Sequence, residues 1–345
     1  MVATMPAVVV HGAGDLRLEE LPVPAPGPGE VAVSVRYGGI CGSDLHYWRH
    51  GAVGDFRVRE PLVLGHEVSG VVRAAGSGVT EFEPGAQVAV HPATPCGLCP
   101  QCLADRRNIC AHTAYLGSAA HFPHVQGGFA GVLVVPESQV LPLPAEVGLR
   151  RAALAEPASV AWHAVRRAGD LTGKRVLVTG AGPIGCLVVA AARAAGAAEV
   201  VVTDVYEAPL AVAGRVGATR TIRLGTPEHE TVGDLNADVA VESSGTGAGF
   251  GTCLDAVARG GRVVGLGLLP PGATPVVLNK IITRELDVVG SFRFDHEMSG
   301  VLNALHGTEP VITATLPVER FGEAFELAAN PARSCKVLLD FGTGN

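Results

Sequence analysis

With 345 residues, 48% hydrophobic and 17% charged, the chain has room for about two packed domains and is not a disordered polypeptide. A formal net charge of -7, without any block of Lys or Arg, argues against nucleic acid and membrane surfaces as partners. The first residues lack a basic segment followed by an apolar core, so no signal peptide is expected, and the longest uncharged stretch, 176–192, carries three glycines and a proline. Eight cysteines, four of them in one short run, fit metal binding in a reducing cytoplasm better than a disulfide framework.

Up to about residue 150 the sequence alternates short β-runs (7–10, 30–35, 68–73, 87–90, 131–135) with turns dense in Pro and Gly, which predicts a β-rich, barrel-like unit. The period then changes. A helix is expected over 151–168, a buried strand over 175–179, a helix over 184–195 closed by Gly196, a strand over 200–204 and a helix over 208–216 ended by Gly217. Runs 238–242 and 262–265 continue the alternation, the mark of a parallel sheet flanked by helices. After Gly290 a helix over 321–329 and a strand over 336–341 complete the pattern. The fold class read from this is α/β: a Rossmann domain, 153–292, inserted into a β-rich domain formed by 1–152 and 293–345, with a cysteine lobe at 91–112.

Gly180-Ala181-Gly182-Pro183-Ile184-Gly185 follows the strand at 175–179 and opens a helix, the context that a dinucleotide-binding loop requires. Gly180 permits the tight turn, Gly182 lets the backbone approach a pyrophosphate, and Gly185 allows close contact of helix and sheet. Pro183 and Ile184 begin the helix whose positive end faces the phosphates. Asp204 ends the next strand, placed to accept a ribose 2′-hydroxyl, and the residues after it, Val205 and Tyr206, offer no cation for a 2′-phosphate. NAD is therefore favoured over NADP. The plainer alternative is a glycine-rich turn with a surface Asp.

Cys96, Cys99, Cys102 and Cys110 can surround one tetrahedral Zn²⁺ as four thiolates, a closed structural site; a redox pair is the alternative for any single C-x-x-C, but the short steps and the fourth cysteine fit a metal better. Cys41 and His66 are ligand types that leave an open position when a carboxylate completes the set, although each alone is as well explained as an ordinary core residue.

Cys41-Gly42-Ser43-Asp44, Gly65-His66-Glu67, the cysteine lobe and the glycine loop, in this order, resemble the zinc-dependent medium-chain dehydrogenase/reductase family over essentially the whole chain. The resemblance implies a GroES-like catalytic domain with an inserted Rossmann domain, homodimers or homotetramers, two Zn²⁺ per subunit, and a hydride passed from a substrate hydroxyl to NAD. By position it implies Cys41 and His66 as ligands of the catalytic zinc, with Glu67 an adjacent acid able to exchange with water as a ligand. Glu156 falls where the alcohol dehydrogenase branch carries a second cysteine, and a glutamate there resembles the polyol and sugar dehydrogenase branch. It implies Ser43 and His46 as a proton relay, and Ser243, Gly265 and Leu266 beside the nicotinamide.

For the substrate, the run from Tyr47 to Phe56 resembles the sorbitol dehydrogenases, whereas 121–129 and 290–294 are more similar to the L-idonate 5-dehydrogenases, with Phe294 where sorbitol enzymes usually carry Tyr. An aldonate needs a cation or several donors for its carboxylate, and Arg293, His121 and His124 are candidates, with Tyr47 and Phe56 lining the pocket. The expected reaction is oxidation of a secondary hydroxyl of an aldonate, L-idonate to 5-keto-D-gluconate. A neutral polyol such as sorbitol or xylitol is the second expectation, and a non-catalytic zinc-binding relative the third.

Overall fold

The computed structural model describes residues 3–342, organised by two large sheets. The first has seven strands around Glu30–Gly39, in the order Val140–Pro142, Gln87–Val90, Glu67–Ala75, Glu30–Gly39, Lys336–Asp340, Ile312–Pro317. Glu30–Gly39 shares one edge between two partners: its first half pairs with Val132–Pro136, and Tyr37 to Gly39 pair with the strand Lys336–Asp340. Residues far apart in sequence thereby form one β-rich, GroES-like unit, and the C-terminal segment supplies two of its strands.

The second sheet is wholly parallel, ordered Arg220–Arg223, Glu199–Asp204, Arg175–Thr179, Ala237–Glu242, Val257–Gly265, Asp287–Gly290. This is the doubly wound Rossmann order, with its switch point between Arg175–Thr179 and Ala237–Glu242. Val176, Leu177 and Val178, like Val200, Val201 and Val202, are fully buried because helices cover both faces, which is why these strands read as unbroken apolar runs. Helix Ala155–Ala168 packs along helices Pro183–Ala194 and Glu297–Ala304, presenting buried Ala155, Ala158, Ala161 and Ala164, whose small side chains permit close approach. No helix among the described residues is long and apolar enough to cross a membrane.

Several elements differ from the sequence expectation. The helix expected over 151–168 breaks into Leu149–Ala152 and Ala155–Ala168. Pro157 is the cause: it lacks an N–H, and its ring would crowd the carbonyl of Ala153 in a continuous helix. Strands Asp15–Pro22, Arg220–Arg223, Asp287–Gly290 and Ile312–Pro317 have no counterpart in the sequence reading. All four lie at sheet edges, where solvent on one side removes the selection for apolar runs.

Candidate active site

Cys41 is the N-cap of helix Gly42–His50, and Asp44 in the first turn ties this start to the next loop. Its carboxylate accepts the Cys41 amide at 2.9 Å and the Gly65 amide at 3.2 Å, and lies 3.9 Å from His66 Nδ1. Gly65 has φ +94 and a Cβ there would strike the Phe129 ring at 2.2 Å, so only glycine lets His66 turn inward. Glu67 opens the strand paired with Gly39, where the missing side chain leaves room for the carboxylate: a Cβ on Gly39 would lie 2.0 Å from Glu67 Oε2.

Ligand atoms of Cys41, His66 and Glu67 lie within 4.8 Å of one another. Glu67 Oε1 accepts from Lys336 Nζ at 2.7 Å, while Oε2 is buried without a partner. Glu156, in the first turn of helix Ala155–Ala168, stands outside this trio and accepts the Tyr115 hydroxyl at 2.7 Å. Burial raises the pKa of both Asp44 and Glu156. Burial alone would lower His66, but Asp44, Cys41 and Glu156 outweigh it and raise His66 to about 10. The pocket gathers more acidic groups than Lys336 can balance. A divalent cation fits it, and the thiol, imidazole and carboxylate donors together with the orphaned Glu67 oxygen suit Zn²⁺.

Ser43 is half-buried and His46, one turn on, is exposed, so the pair runs from the metal pocket towards solvent. Burial, His50 and Arg49 lower the His46 pKa. Tyr47 does not line the pocket. It is buried in the core with Val8, Leu62 and Phe129, and its hydroxyl accepts the Ala119 amide at 3.0 Å. Phe56 stands on the small hairpin Ala52–Val53 and Phe56–Arg57 and is exposed.

The two histidines expected at a substrate carboxylate serve the backbone instead. His121 Nε2 bonds the Thr113 carbonyl at 2.9 Å; His124 Nε2 accepts the Arg59 amide at 2.9 Å, and its Nδ1 donates to the His121 carbonyl at 2.7 Å. Arg293 is different. Its guanidinium lies over the Tyr115 ring, 4.4 Å from the centroid, and so one residue from Glu156. It also borders a cavity of about 400 Å³ shared with His91, Thr113 and buried Phe294.

In the dinucleotide loop Gly180 has φ +88, and a Cβ on Gly185 would lie 1.9 Å from the Gly180 carbonyl oxygen. Gly182 caps helix Pro183–Ala194, with Pro183 and Ile184 in its first turn, and a Cβ there would meet nothing within 4 Å. The loop is therefore open on the side where a pyrophosphate would approach. Asp204 accepts the amides of Ala181 at 2.7 Å and Tyr206 at 2.9 Å, holding the loop against the end of its strand. Ser243 Oγ donates to the carbonyls of Thr179 and Gly180, so it buttresses the loop rather than facing outward. The Leu266 amide donates to the Glu242 carbonyl and the Gly265 carbonyl accepts the Ser291 amide, which commits these groups to the sheet end.

In the lobe the four cysteine sulfurs lie within 4.8 Å of one another, with Cys99–Cys102 and Cys96–Cys110 both at 3.5 Å. Four thiolates at about 2.3 Å from one Zn²⁺ would stand about 3.8 Å apart, so little movement is needed. Burial alone would raise Cys110, but the amides of Cys96 and His112 pull it down to about 6, whereas burial and the neighbouring thiols push Cys102 up to about 12.

Asp44 enters the sequence reading only as part of a motif, without a role, and Lys336, Tyr115 and Glu242 are not singled out there. Glu242 is fully buried and accepts the amides of Ser244 and Gly245, shaping the strand end that faces the cleft. An acid closing an apolar strand was the available signal.

Residues 27–145 match the alcohol dehydrogenase GroES-like domain, and residues 183–307 match the zinc-binding dehydrogenase domain. Escherichia coli K12 L-idonate 5-dehydrogenase (NAD(P)(+)) is 38% identical over 322 residues, covering 90% of this chain and 91% of that protein. Sorbitol dehydrogenase of Gallus gallus is 39% identical over 331 residues, covering 93% and 92%. The crystal structure of the Escherichia coli L-idonate 5-dehydrogenase superposes with a TM-score of 0.92 at 35% identity, covering 99% of both chains. With its GroES-like and Rossmann domains and its zinc- and dinucleotide-fitting sites, the chain belongs to the zinc-dependent medium-chain dehydrogenase family, in its polyol and sugar dehydrogenase branch.

Proposed function

We propose that the protein oxidises a secondary hydroxyl of an aldonate, L-idonate to 5-keto-D-gluconate, with NAD. The observation that carries this reading is Arg293: among the described residues no carboxylate pairs with its guanidinium, which stacks on Tyr115 beside Glu156. A substrate carboxylate would find there a planar, two-pronged donor.

Cys41 and His66, with Glu67 or Glu156 as the carboxylate, would hold the catalytic zinc, and the four lobe cysteines the structural one. Zinc supplies Lewis acidity that eases loss of a substrate hydroxyl proton, and the nicotinamide accepts the hydride. Ser43 Oγ takes that proton towards the His46 imidazole, which is neutral at physiological pH and meets solvent. Asp44 fixes His66 by binding the backbone on both sides of the site. Gly182 and the start of helix Pro183–Ala194 receive the pyrophosphate, and Asp204 accepts the ribose 2′-hydroxyl, which favours NAD over NADP.

The chain is expected to pair with a second copy. Asp287–Gly290 ends the parallel sheet, and Val276, Val277, Leu278, Ile282 and Val288 near it are exposed. A homodimer, or a homotetramer built from two, would cover them. Eight free cysteines suit a reducing cytoplasm.

A neutral polyol is the second reading, favoured by the identity to sorbitol dehydrogenase and by Arg293's capacity to donate to hydroxyls. NADH formation from L-idonate, D-gluconate, sorbitol and xylitol at equal concentration decides between them, with NADP in a matched set. Turnover confined to L-idonate, lost in Arg293→Ala, is the expected result. Equal or faster turnover of sorbitol or xylitol would replace the aldonate with a polyol.

A further inference from the structure

We propose that Arg107 and Asn108, carried by the four-cysteine lobe, are positioning residues for Arg293, so that the lobe acts on substrate affinity; this rests on reading Arg293 as a substrate contact. Both lie between Cys102 and Cys110, in the 3₁₀ turn Arg107–Ile109, and the Cys110 amide donates to the Arg107 carbonyl at 3.0 Å. Their places are thus set by the cysteine cluster itself.

From there they grip the chain on both sides of Arg293. Arg107 donates its amide to Asp295 Oδ2 at 2.9 Å and its Nε to Oδ1 at 3.0 Å, a two-point clasp on a nearly buried carboxylate. Asn108 Nδ2 donates to the Phe292 carbonyl at 2.9 Å. Behind the segment, the Asp295 amide donates to Glu297 Oε2, and Glu297 Oε1 takes His163 Nδ1 and Arg166 from helix Ala155–Ala168. That helix carries Glu156 in its first turn.

Arg293 therefore hangs between the lobe and the helix that bears Glu156. Its φ of +51 is a left-handed conformation that a non-glycine residue adopts at a cost and keeps only when its surroundings hold it. The grips at 292 and 295 are that hold. Release of either would let the backbone relax and swing the guanidinium off Tyr115, and loss of an ångström of placement is enough to weaken a charged contact.

A kinetic cycle tests this. Asp295→Asn and Asn108→Ala are each made in the wild-type and the Arg293→Ala enzyme, with zinc content and NADH binding as checks of folding. The expected result is a substrate KM raised about tenfold by each change, with kcat and the KM for NAD within about twofold, and no further rise in the Arg293→Ala background. Equal KM effects with and without Arg293, or no effect in its presence, overturn the proposal. Should Asp295→Asn fail to fold, Asn108→Ala alone decides by the same criterion. The cycle is run on L-idonate and on sorbitol. Turnover of sorbitol alone would remove the aldonate reading, and the coupling to Arg293 would then be judged on sorbitol.

Discussion

Lys336 shows what a single side chain contributes to this site. Its ammonium is buried, donates to Glu67 Oε1 and to the Ile40 carbonyl, and is the buried cation against the metal-pocket carboxylates. Lys336→Met would leave Glu67 charged and unpartnered, a change that typically costs about 3–5 kcal/mol. Urea unfolding of the protein with its catalytic zinc removed should show a loss of that order, and a loss below about 1 kcal/mol would mean that Glu67 is balanced by other groups. Cys41, His66 and Glu67 were legible in the sequence because their motif is local. Lys336 was not: 269 residues separate it from Glu67, and a lysine opening an apolar strand looks like a sheet-edge charge until the strand is placed. His124 shows the same limit, since a loop histidine looks like a ligand until backbone partners are seen on both its ring nitrogens, whereas the His121 ring is engaged at Nε2.

The strand, loop and helix around Gly180 form the element most fully read from sequence, because each glycine meets a separate local demand. Two of them separate folding from binding. Gly185→Ala would drive a methyl into the Gly180 carbonyl and against Ser243 Oγ, so the helix must shift and the protein should lose stability whether or not NAD is present. Gly182→Ala meets open space, so its melting temperature without dinucleotide should match wild type while NADH affinity falls about tenfold or more. Melting curves with and without NADH read both. A Gly182→Ala protein that still binds NADH as wild type would place the pyrophosphate elsewhere. Elements were harder to read where context decides: the break before Ala155–Ala168 follows from Pro157, and the edge strands Arg220–Arg223 and Asp287–Gly290 are four residues long and partly exposed, too short to stand out as the longer central strands do.

At the scale of the whole molecule, the alternation of strand and helix announced the parallel sheet, and the change of pattern after Gly290 announced the return of the C-terminal segment to the β-rich domain, whereas its pairing with Glu30–Gly39 is visible only in the structure. Helix Glu297–Ala304 lies on that return path, and Glu297 anchors it to helix Ala155–Ala168. Burial would raise the pKa of Glu297, but His163 and the Asp295 amide hold it at about 2, below its ordinary 4.5. A depressed carboxylate stabilises the fold fully above its unfolded value and loses that contribution as pH falls towards its folded one. The melting-temperature gap between wild type and Glu297→Gln should therefore be widest above pH 4.5 and close as pH is lowered to about 2. A gap indifferent to pH would give Glu297 a packing role only.

The pairing of Lys336–Asp340 with Glu30–Gly39 also sets an order of events during synthesis. The strand carrying Lys336 leaves the ribosome after Cys41, His66, Glu67 and Glu156, and after all six strands of the parallel sheet. The dinucleotide domain can therefore mature on a nascent chain whose metal pocket still lacks its balancing cation and whose central strand still has half an edge unpaired. The metal pocket is complete only once the last strand has docked.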